Sequence, residues 1–221
     1  MTMSPQPKTR AKKASTSRKV TPVRWNNALK SRDEVNEAKR LALVRTAGTA
    51  FKARGFHNTS LEDLAAALNI TKPTLYYYID NKQDLLYRCH QYALDLGDQA
   101  HEYARGGRHG LDRLLRMLSR YIELMTDDFA AYSLLSDLND LSKEHKTAIQ
   151  KRRRAFDTVF RNFINEGIQD GSIRPCDPML TVAWFMGAVN AIPRWFDTKG
   201  RMTGADVAAA YADLLTRAIR A

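Results

Sequence analysis

Apolar residues recur at helical spacing from residue 33 to the end of the chain, and this pattern constrains the fold more than any other feature. Leu41, Val44, Gly48 and Phe51 share one helix face, with Ala47 beside them. No convincing run of alternating residues bounded by hairpin turns interrupts the pattern, and no internal repeat is visible. We therefore expect an all-α fold.

Two short helices are predicted between residues 60 and 79. Ser60 is a favourable N-cap, and Asp63 supplies the acidic half of a capping box. Thr71 caps a second helix that begins at Lys72. Two short helices joined by a tight turn, after one long helix, are typical of a helix-turn-helix unit.

The rest of the chain is also predicted to be helical. Asn81 caps a longer helix with an apolar stripe formed by Leu85, Cys89, Tyr92, Ala93 and Leu96. Five further helical segments follow, at residues 111–126, 129–140, 143–170, 177–196 and 203–220.

The net charge of +11 is concentrated at the N-terminus. Residues 1–32 hold nine basic side chains and no acidic one, which leaves 26 basic and 24 acidic residues in the remainder. Such a segment cannot bury enough apolar surface to order itself, so we predict a flexible basic arm that leads into the first helix, over residues 1–36. Beside a helix-turn-helix it is expected to lie along DNA and add salt-dependent affinity, with a solubilising leader as the alternative.

Several classes of protein are excluded by composition. Two cysteines cannot form a disulfide framework or a zinc cluster, and the longest wholly apolar run, residues 182–189, is far shorter than the roughly 20 residues of a membrane span. No apolar segment follows the basic N-terminus as in a signal peptide. The five histidines are scattered, and no catalytic motif is present. We expect a cytoplasmic, non-enzymatic protein without a metal, a cofactor or a membrane partner.

The second short helix has a surface suited to nucleic acid. Leu75 and Ile79 point inward, which leaves Lys72 and Thr74 facing outward with three successive tyrosines, Tyr76, Tyr77 and Tyr78. These side chains donate to phosphates and base edges, and no acidic residue lies between positions 64 and 79. Three exposed tyrosines are unusual without a partner, although packing of a small helical domain is the alternative.

Residues 59–65 (TSLEDLA) and 68–86 (LNITKPTLYYYIDNKQDLL) resemble the DNA-binding region of the TetR family of bacterial transcriptional regulators. The family's segment commonly reads Ser/Thr-x-Gly/Pro-x-Leu-Tyr-x-His/Tyr-Phe-x-Ser/Asn-Lys-x-x-Leu, and this sequence departs from it at Ile79, where Phe is usual. The resemblance covers residues 37–97. It implies an N-terminal three-helix DNA-binding domain with its helix-turn-helix at 60–79, followed by a C-terminal helical ligand-binding and dimerisation domain at 98–221.

The resemblance also implies that the protein binds double-stranded DNA and is associated with the nucleoid of a bacterium. It assigns base-edge contacts to Lys72, Pro73, Thr74 and Tyr77. It assigns phosphate contacts to Ser60, Thr71, Tyr76, Tyr78 and Lys82, with Thr59 as an additional one. Lys82 also lies at a helix N-terminus, where backbone N–H groups favour an anion, and an ordinary solvated lysine is the alternative.

The last two predicted helices are apolar around much of their circumference and need cover on more than one side. Their apolar residues are Val182, Ala183, Trp184, Phe185, Met186, Ala188 and Val189 on one helix and Val207, Tyr211, Leu214 and Ala218 on the other. Pairing with symmetry mates, as in the TetR family, predicts a homodimer. Twofold symmetry then predicts a palindromic operator.

A ligand pocket is predicted in the C-terminal half. Arg153 falls on the apolar stripe of its helix, where a guanidinium must find an anion. The alternatives are an acid on a neighbouring helix, or an anionic ligand that Arg153 faces together with Lys151, Arg152 and Arg154. Candidates for the remaining lining, with plain core packing as the alternative, are Tyr121, Met125, Phe129, Tyr132, Trp184, Met186, Asn190, Trp195 and Phe196.

Residues 166–168 (EGI), 171–175 (GSIRP), 194–196 (RWF) and 200–203 (GRMT), together with Asn190, resemble the TetR-type regulators that sense acyl-CoA thioesters. This resemblance implies a dimeric repressor released from its operator by an acyl-CoA or another hydrophobic, anionic metabolite. An architectural or cell-division factor of the same fold, without a small ligand, is the alternative. The residues do not distinguish a repressor from an activator.

Overall fold

The computed structural model describes residues 31–126 and 138–221, and these residues are mostly helical. The helices are α1 (Arg32–Arg54), α2 (Leu61–Ala67), α3 (Lys72–Tyr76), α4 (Lys82–Ala104), α5 (Gly110–Met125), α6 (Lys143–Asp170), α7 (Pro178–Trp195) and α8 (Gly204–Ile219). A 3-10 turn, Leu138–Asp140, precedes α6. Within the described stretches, β structure is limited to one isolated antiparallel bridge, between Ile173 and Arg220. The all-α prediction is confirmed; most of the basic arm and most of the segment predicted at 129–140 lie outside the described residues.

Helix α1 ends at a glycine in the left-handed conformation. Gly55 has a φ of +83° and donates its N–H to the carbonyl oxygen of Phe51 at 2.9 Å, the left-handed cap for which glycine is favoured. The buried face differs from the prediction at one position, because Leu43 is buried and Leu41 is partly exposed. Leu41 and Leu43 lie on opposite sides of the predicted stripe. The helices that follow α1 cover the side that Leu43 occupies.

The first of two main apolar clusters surrounds α1 to α4, and we call it the head core. Leu75 and Ile79 lie inside it, as their four-residue spacing predicts. Leu141, which lies between the 3-10 turn and α6, and Ile149 in α6 also belong to it, so later parts of the chain complete this core. Its buried members are Leu43, Val44, Ala47, Phe51, Phe56, Leu61, Leu64, Leu75, Ile79, Leu85, Leu86, Cys89, Leu141 and Ile149.

The second cluster, the body core, is built around α5, which packs against α4, α6 and α8. Glycines allow α5 and α6 to approach closely, because a Cβ atom on Gly110 would lie only 2.1 Å from the backbone nitrogen of Gly167. The largest buried side chains of the body core include Leu114, Met117, Leu118, Ile122, Phe160 and Phe185.

Candidate nucleic-acid interface and inner cavity

Side-chain caps fix the two short helices. The Ser60 hydroxyl accepts from the Asp63 N–H at 3.0 Å, and the Asp63 carboxylate accepts from the Ser60 N–H at 3.1 Å. The turn between the helices passes through Asn69, whose φ of +54° is the left-handed conformation that asparagine tolerates. Thr71 then caps α3, with Pro73 in the first turn. Both N-caps and the turn agree with the prediction.

The outer face of α3 presents aromatic and hydroxyl groups to solvent. Tyr77 is 77% exposed and Tyr76 is 46% exposed, whereas Tyr78 is partly buried against the head core. Thr71 and Thr74 share a hydroxyl–hydroxyl hydrogen bond of 2.8 Å on the same surface. One of the three tyrosines therefore packs mainly as a structural residue, and two are free to meet a partner.

Lys72, at the first position of α3, is held by an acid from the preceding helix. Its ammonium donates to the Glu62 carboxylate, and this hydrogen bond raises the pKa of Lys72 and lowers the pKa of Glu62. Glu62 lies just before the stretch without acids that the sequence shows, so its contact with α3 was not anticipated. A base-edge contact by Lys72 requires the ammonium to leave this carboxylate or to share it.

Lys82 is more enclosed than a solvated lysine. Its ammonium lies 4.4 Å from the centroid of the Phe56 ring and donates to the His57 carbonyl oxygen at 3.3 Å. Partial burial lowers the pKa of Lys82, while the nearby Asp140 carboxylate opposes that shift. The phosphate contact predicted for Lys82 stays a prediction.

Thr59 does not belong to the exposed surface. Its side chain is fully buried, and its hydroxyl donates to the Gly55 carbonyl oxygen at 2.9 Å. The predicted phosphate contact from this side chain is therefore wrong for this conformation, because the hydroxyl closes the end of α1. Thr59 instead fixes the loop that leads into the Ser60 cap.

A cavity of about 220 Å³ lies in the C-terminal half of the molecule, and we call it the inner cavity. Two guanidinium groups, those of Arg153 and Arg194, line it together with the Asp157 carboxyl. Burial raises the pKa of Asp157, against the opposing effect of nearby arginines. The full lining is Leu94, Tyr121, Arg153, Phe156, Asp157, Met186, Asn190 and Arg194.

The structure brings together only part of the predicted ligand set. Tyr121, Arg153, Met186 and Asn190 line the inner cavity, and ligand binding by them stays a prediction. Met125 was expected there but is buried in the body core, because the apolar face of α5 packs it against neighbouring helices. Trp184 and Trp195 are exposed instead, and Phe129 and Tyr132 lie outside the described residues.

Arg194 and Asp157 were not among the lining residues predicted from the sequence. Arg194 forms part of the acyl-CoA-type resemblance at residues 194–196, and Asp157 lies four residues after Arg153 on the same helix. A single charged residue in a helical sequence does not by itself indicate that it lines a cavity, because such residues usually face water.

The four consecutive basic residues on α6, at positions 151–154, have different surroundings. Arg152 makes ion pairs with Asp95 at 2.8 Å and Asp98 at 2.5 Å, both on α4. Lys151 and Arg154 are exposed. Within this run Arg153 alone lines the inner cavity, where its Nη2 atom lies 3.3 Å from Nδ1 of His90 on α4.

Helices α7 and α8 leave large apolar side chains in solvent. We define the outer apolar face as Met179, Leu180, Trp184, Trp195 and Leu214, each of which is about half exposed or more. Val182, Phe185 and Val189 on α7 point the other way, into the body core. Helix α7 thus has one face covered by the body core and one apolar face left exposed, although its all-round apolar sequence requires cover on more than one side.

No helix in the two described stretches is long and apolar enough to cross a membrane. Among the same residues, no group of three or more His, Cys, Asp or Glu side chains forms a candidate metal site.

A capped helix-turn-helix with an aromatic, hydroxyl-rich outer helix defines a class of DNA-binding regulators. Comparison with known families agrees. Residues 43–89 match the family described as bacterial regulatory proteins, tetR family, and residues 107–219 match the tetracyclin repressor-like C-terminal domain. The second match spans more than half of the chain, and the chain belongs to the TetR family of DNA-binding transcriptional regulators. Because the family consists of regulators, the expectation that the protein is not an enzyme is confirmed.

Similar proteins match most of the chain. The HTH-type transcriptional repressor KstR2 of Rhodococcus jostii (strain RHA1) is 23% identical over 181 residues, which covers 80% of this chain and 89% of that protein. The TetR-family regulator PfmR from Thermus thermophilus has a TM-score of 0.74 at 27% identity, over 79% of this chain and 97% of its own. AibR, solved with isovaleryl coenzyme A and operator DNA, has a TM-score of 0.69 at 27% identity, over 80% and 98%.

Proposed function

We propose that the protein is a dimeric repressor that binds a palindromic operator through α3 and is released from it by a small anionic acyl ligand. The observation that carries the proposal is the outer face of α3, where Tyr76 and Tyr77 stand in solvent on a helix fixed by the Thr71 cap. An aromatic surface of this kind on a short, firmly capped helix is suited to the major groove, which is wide enough to admit a helix.

The two kinds of DNA contact fall on different parts of this surface. Thr74 and Tyr77 carry hydroxyl groups on the outer side of α3, where base edges would lie in the groove. Ser60 and Thr71, the N-caps that precede the two helices, would meet backbone phosphates through their hydroxyl groups. The Lys72 ammonium, which pairs with the Glu62 carboxylate in the free protein, would leave that carboxylate to contact the DNA.

Dimerisation is supported by the outer apolar face. Trp184 and Leu180 on α7 and Leu214 on α8 are each more than half exposed, although such side chains are rarely left in water together. A twofold pairing of these helices would cover the same patch on both copies. The two copies of α3 would then face two half-sites of a palindrome.

The ligand class is inferred from the inner cavity. Arg153 and Arg194 supply two guanidinium groups for a phosphate or carboxylate, next to the apolar surfaces of Leu94, Phe156 and Met186. A volume of about 220 Å³ is below the usual range for a drug-sized ligand, so only a short acyl group would be enclosed. A coenzyme A thioester carries an acyl chain and phosphate groups in one molecule, joined by the pantetheine arm, and AibR was solved with isovaleryl coenzyme A.

The DNA-binding proposal is tested by comparing two exposed tyrosines. Operator fragments are first selected from genomic DNA with the purified protein, and their affinity is measured by fluorescence anisotropy. Tyr77→Ala is expected to weaken operator binding by about 1–3 kcal/mol, the usual contribution of a base contact. Tyr103→Ala, on α4 and 52% exposed, is the matched control and should bind as the wild type does. Equal affinities for the wild type and the Tyr77 variant would exclude α3 as the reading helix.

The ligand proposal is tested by titrating the protein with isovaleryl-coenzyme A in a calorimeter, followed by release of the operator fragment. Binding heat with release supports an acyl-CoA effector, and Arg194→Met should weaken the binding because it removes one guanidinium. Absence of heat at millimolar ligand would exclude this ligand class without affecting the DNA-binding result.

The basic arm is proposed to add affinity without sequence specificity. Residues 1–30 carry eight of the basic side chains and no acid. Deleting residues 2–30 should therefore weaken operator binding and flatten the slope of log affinity against log salt concentration, because fewer counterions are released. An unchanged slope would remove this role from the arm.

A further inference from the structure

An ion pair lies at the edge of the outer face of α3. The ammonium of Lys72, the first residue of α3, donates to the carboxylate of Glu62 on α2. Both side chains are in solvent, with exposed fractions of 45% for Lys72 and 60% for Glu62. The ammonium also lies 6.0 Å from the centroid of the Tyr76 ring. The pair therefore adjoins the aromatic surface that the proposed function assigns to DNA.

Stability of the fold does not account for an acid at position 62. The reciprocal cap of α2 is formed by Ser60 and Asp63, without Glu62. An exposed ion pair contributes little to stability, because water screens the charges and both side chains lose freedom. On a surface that meets DNA, a carboxylate is also repelled by the phosphates. Glu62 therefore weakens DNA binding unless a base supplies it with a hydrogen-bond donor.

The pair presents donors and acceptors side by side. An ammonium has three N–H donors, and a carboxylate has about four acceptor sites. In the major groove a G·C base pair shows the two acceptors of guanine, N7 and O6, followed by the N4 amino group of cytosine. Lysine pairs with the guanine acceptors, and glutamate accepts from the cytosine amino group. The edge of a G·C pair thus supplies a partner for each member of the ion pair.

The other three arrangements of bases match the pair less well. T·A keeps one acceptor and the adjacent amino group, but it places the thymine methyl group where guanine has N7. A·T and C·G reverse the donor and the acceptor at the two positions that Lys72 and Glu62 would contact. At such a base pair the ammonium would meet an amino group, and the carboxylate would meet an oxygen or a nitrogen acceptor.

We propose that Lys72 and Glu62 together read one G·C base pair in each half-site of the operator, with the ammonium on guanine and the carboxylate on the cytosine amino group. At this base pair the DNA replaces the hydrogen bond between the two side chains with one for each of them. At A·T or C·G the ion pair stays closed and makes no base contact. The inference rests on the proposed function, since it takes α3 as the reading helix. It adds Glu62 as a residue that determines operator specificity.

The test compares the operator sequences that two variants select from a random library of duplex DNA. Glu62→Ala removes the carboxylate, and Glu102→Ala is the matched control because it removes an exposed carboxylate paired with Arg105 at 3.0 Å on α4. We expect the wild type and the control to select one consensus. We expect Glu62→Ala to lose the preference for G·C at one position in each half-site and to keep the rest.

Fluorescence anisotropy with four operators, which differ only at that position, gives the size of the effect. The wild type should bind G·C most tightly, then T·A, and it should bind A·T and C·G at least about fivefold more weakly than G·C. Glu62→Ala should bind all four within about twofold of one another. Lys72→Met should lose the preference at the same position. Thermal unfolding shows whether each variant is folded.

Three results would overturn the inference. They are a consensus that Glu62→Ala leaves unchanged, an equal gain in affinity for all four operators, which indicates simple repulsion, and changes at different positions in Glu62→Ala and Lys72→Met. Each of these leaves the DNA-binding proposal intact, because the wild type still selects an operator. A wild type that selects no common sequence would refute the operator proposal and this inference together.

Discussion

The outer apolar face gives the sharpest quantitative test of dimerisation, through Trp184. This side chain is 57% exposed on α7. With roughly 250 Å² for a whole tryptophan, about 140 Å² is available for burial in a partner. At about 25 cal/mol per Å² this amounts to about 3.5 kcal/mol per copy, and twofold symmetry doubles it to about 7 kcal/mol.

Part of this gain is offset when the side chains become ordered. The cost is about 1 kcal/mol for each immobilised side chain, which leaves about 5 kcal/mol for the two copies of Trp184. Replacing this residue by glutamate removes the gain and places two carboxylates at the interface. We therefore expect Trp184→Glu to raise the dimer dissociation constant by three to four powers of ten, with about 1.4 kcal/mol for each.

Analytical ultracentrifugation at a series of concentrations measures this change directly. Tyr103→Glu is the matched control, because Tyr103 is an aromatic residue of similar exposure on α4, outside the outer apolar face. The control should remain a dimer, and the Trp184 variant should be a monomer at micromolar concentration. A Trp184 variant with the wild-type dissociation constant would refute the assignment of this face to the dimer.

Three further predictions concern the stability of the fold. Ser60→Ala should lower the free energy of unfolding by about 1 kcal/mol in urea titrations, since it removes one half of a reciprocal cap. Gly110→Ala should lower it by about 1–3 kcal/mol, because the new methyl group overlaps the backbone of Gly167; an unchanged melting temperature would contradict the close helix approach. As the pH falls below about 6.5, His90 becomes protonated in the unfolded chain, whereas its low pKa keeps it neutral in the folded protein. Between pH 7 and 5 the wild type should therefore lose about 2 kcal/mol more stability than His90→Asn, and equal losses would contradict a buried neutral imidazole.

Local signals predicted the helices well, because most of their ends are fixed by residues close in sequence. Ser60, Thr71 and Asn81 cap the helices at which the sequence places them, and Gly55 adopts the left-handed conformation expected after a helix. The buried face of α1 was predicted less well. Its exact side depends on helices distant in sequence, which a periodic pattern cannot place.

The candidate site was predictable only where the chemistry is local. The outer side chains of α3 follow from the inward positions of Leu75 and Ile79, which periodicity supplies. The burial of Thr59 and the pairing of Lys72 with Glu62 follow from tertiary packing. Similarly, aromatic residues on α5 and α7 are candidates for core, cavity and surface alike. Their roles depend on which helices cover them.

The part played by α6 gives the physical reason why the two halves of the chain are not independent. A segment as short as residues 37–97 buries only about 60% of the surface that its unfolded chain exposes, so its core is marginal alone. Leu141, just before α6, and Ile149, within α6, extend that core, and the His57 imidazole meets the Asp140 carboxylate at 3.0 Å. Further along the same helix, Phe160 is in the body core. Since Arg153 lies between Ile149 and Phe160 on one continuous helix, a ligand bound at the inner cavity would contact a helix that both cores share.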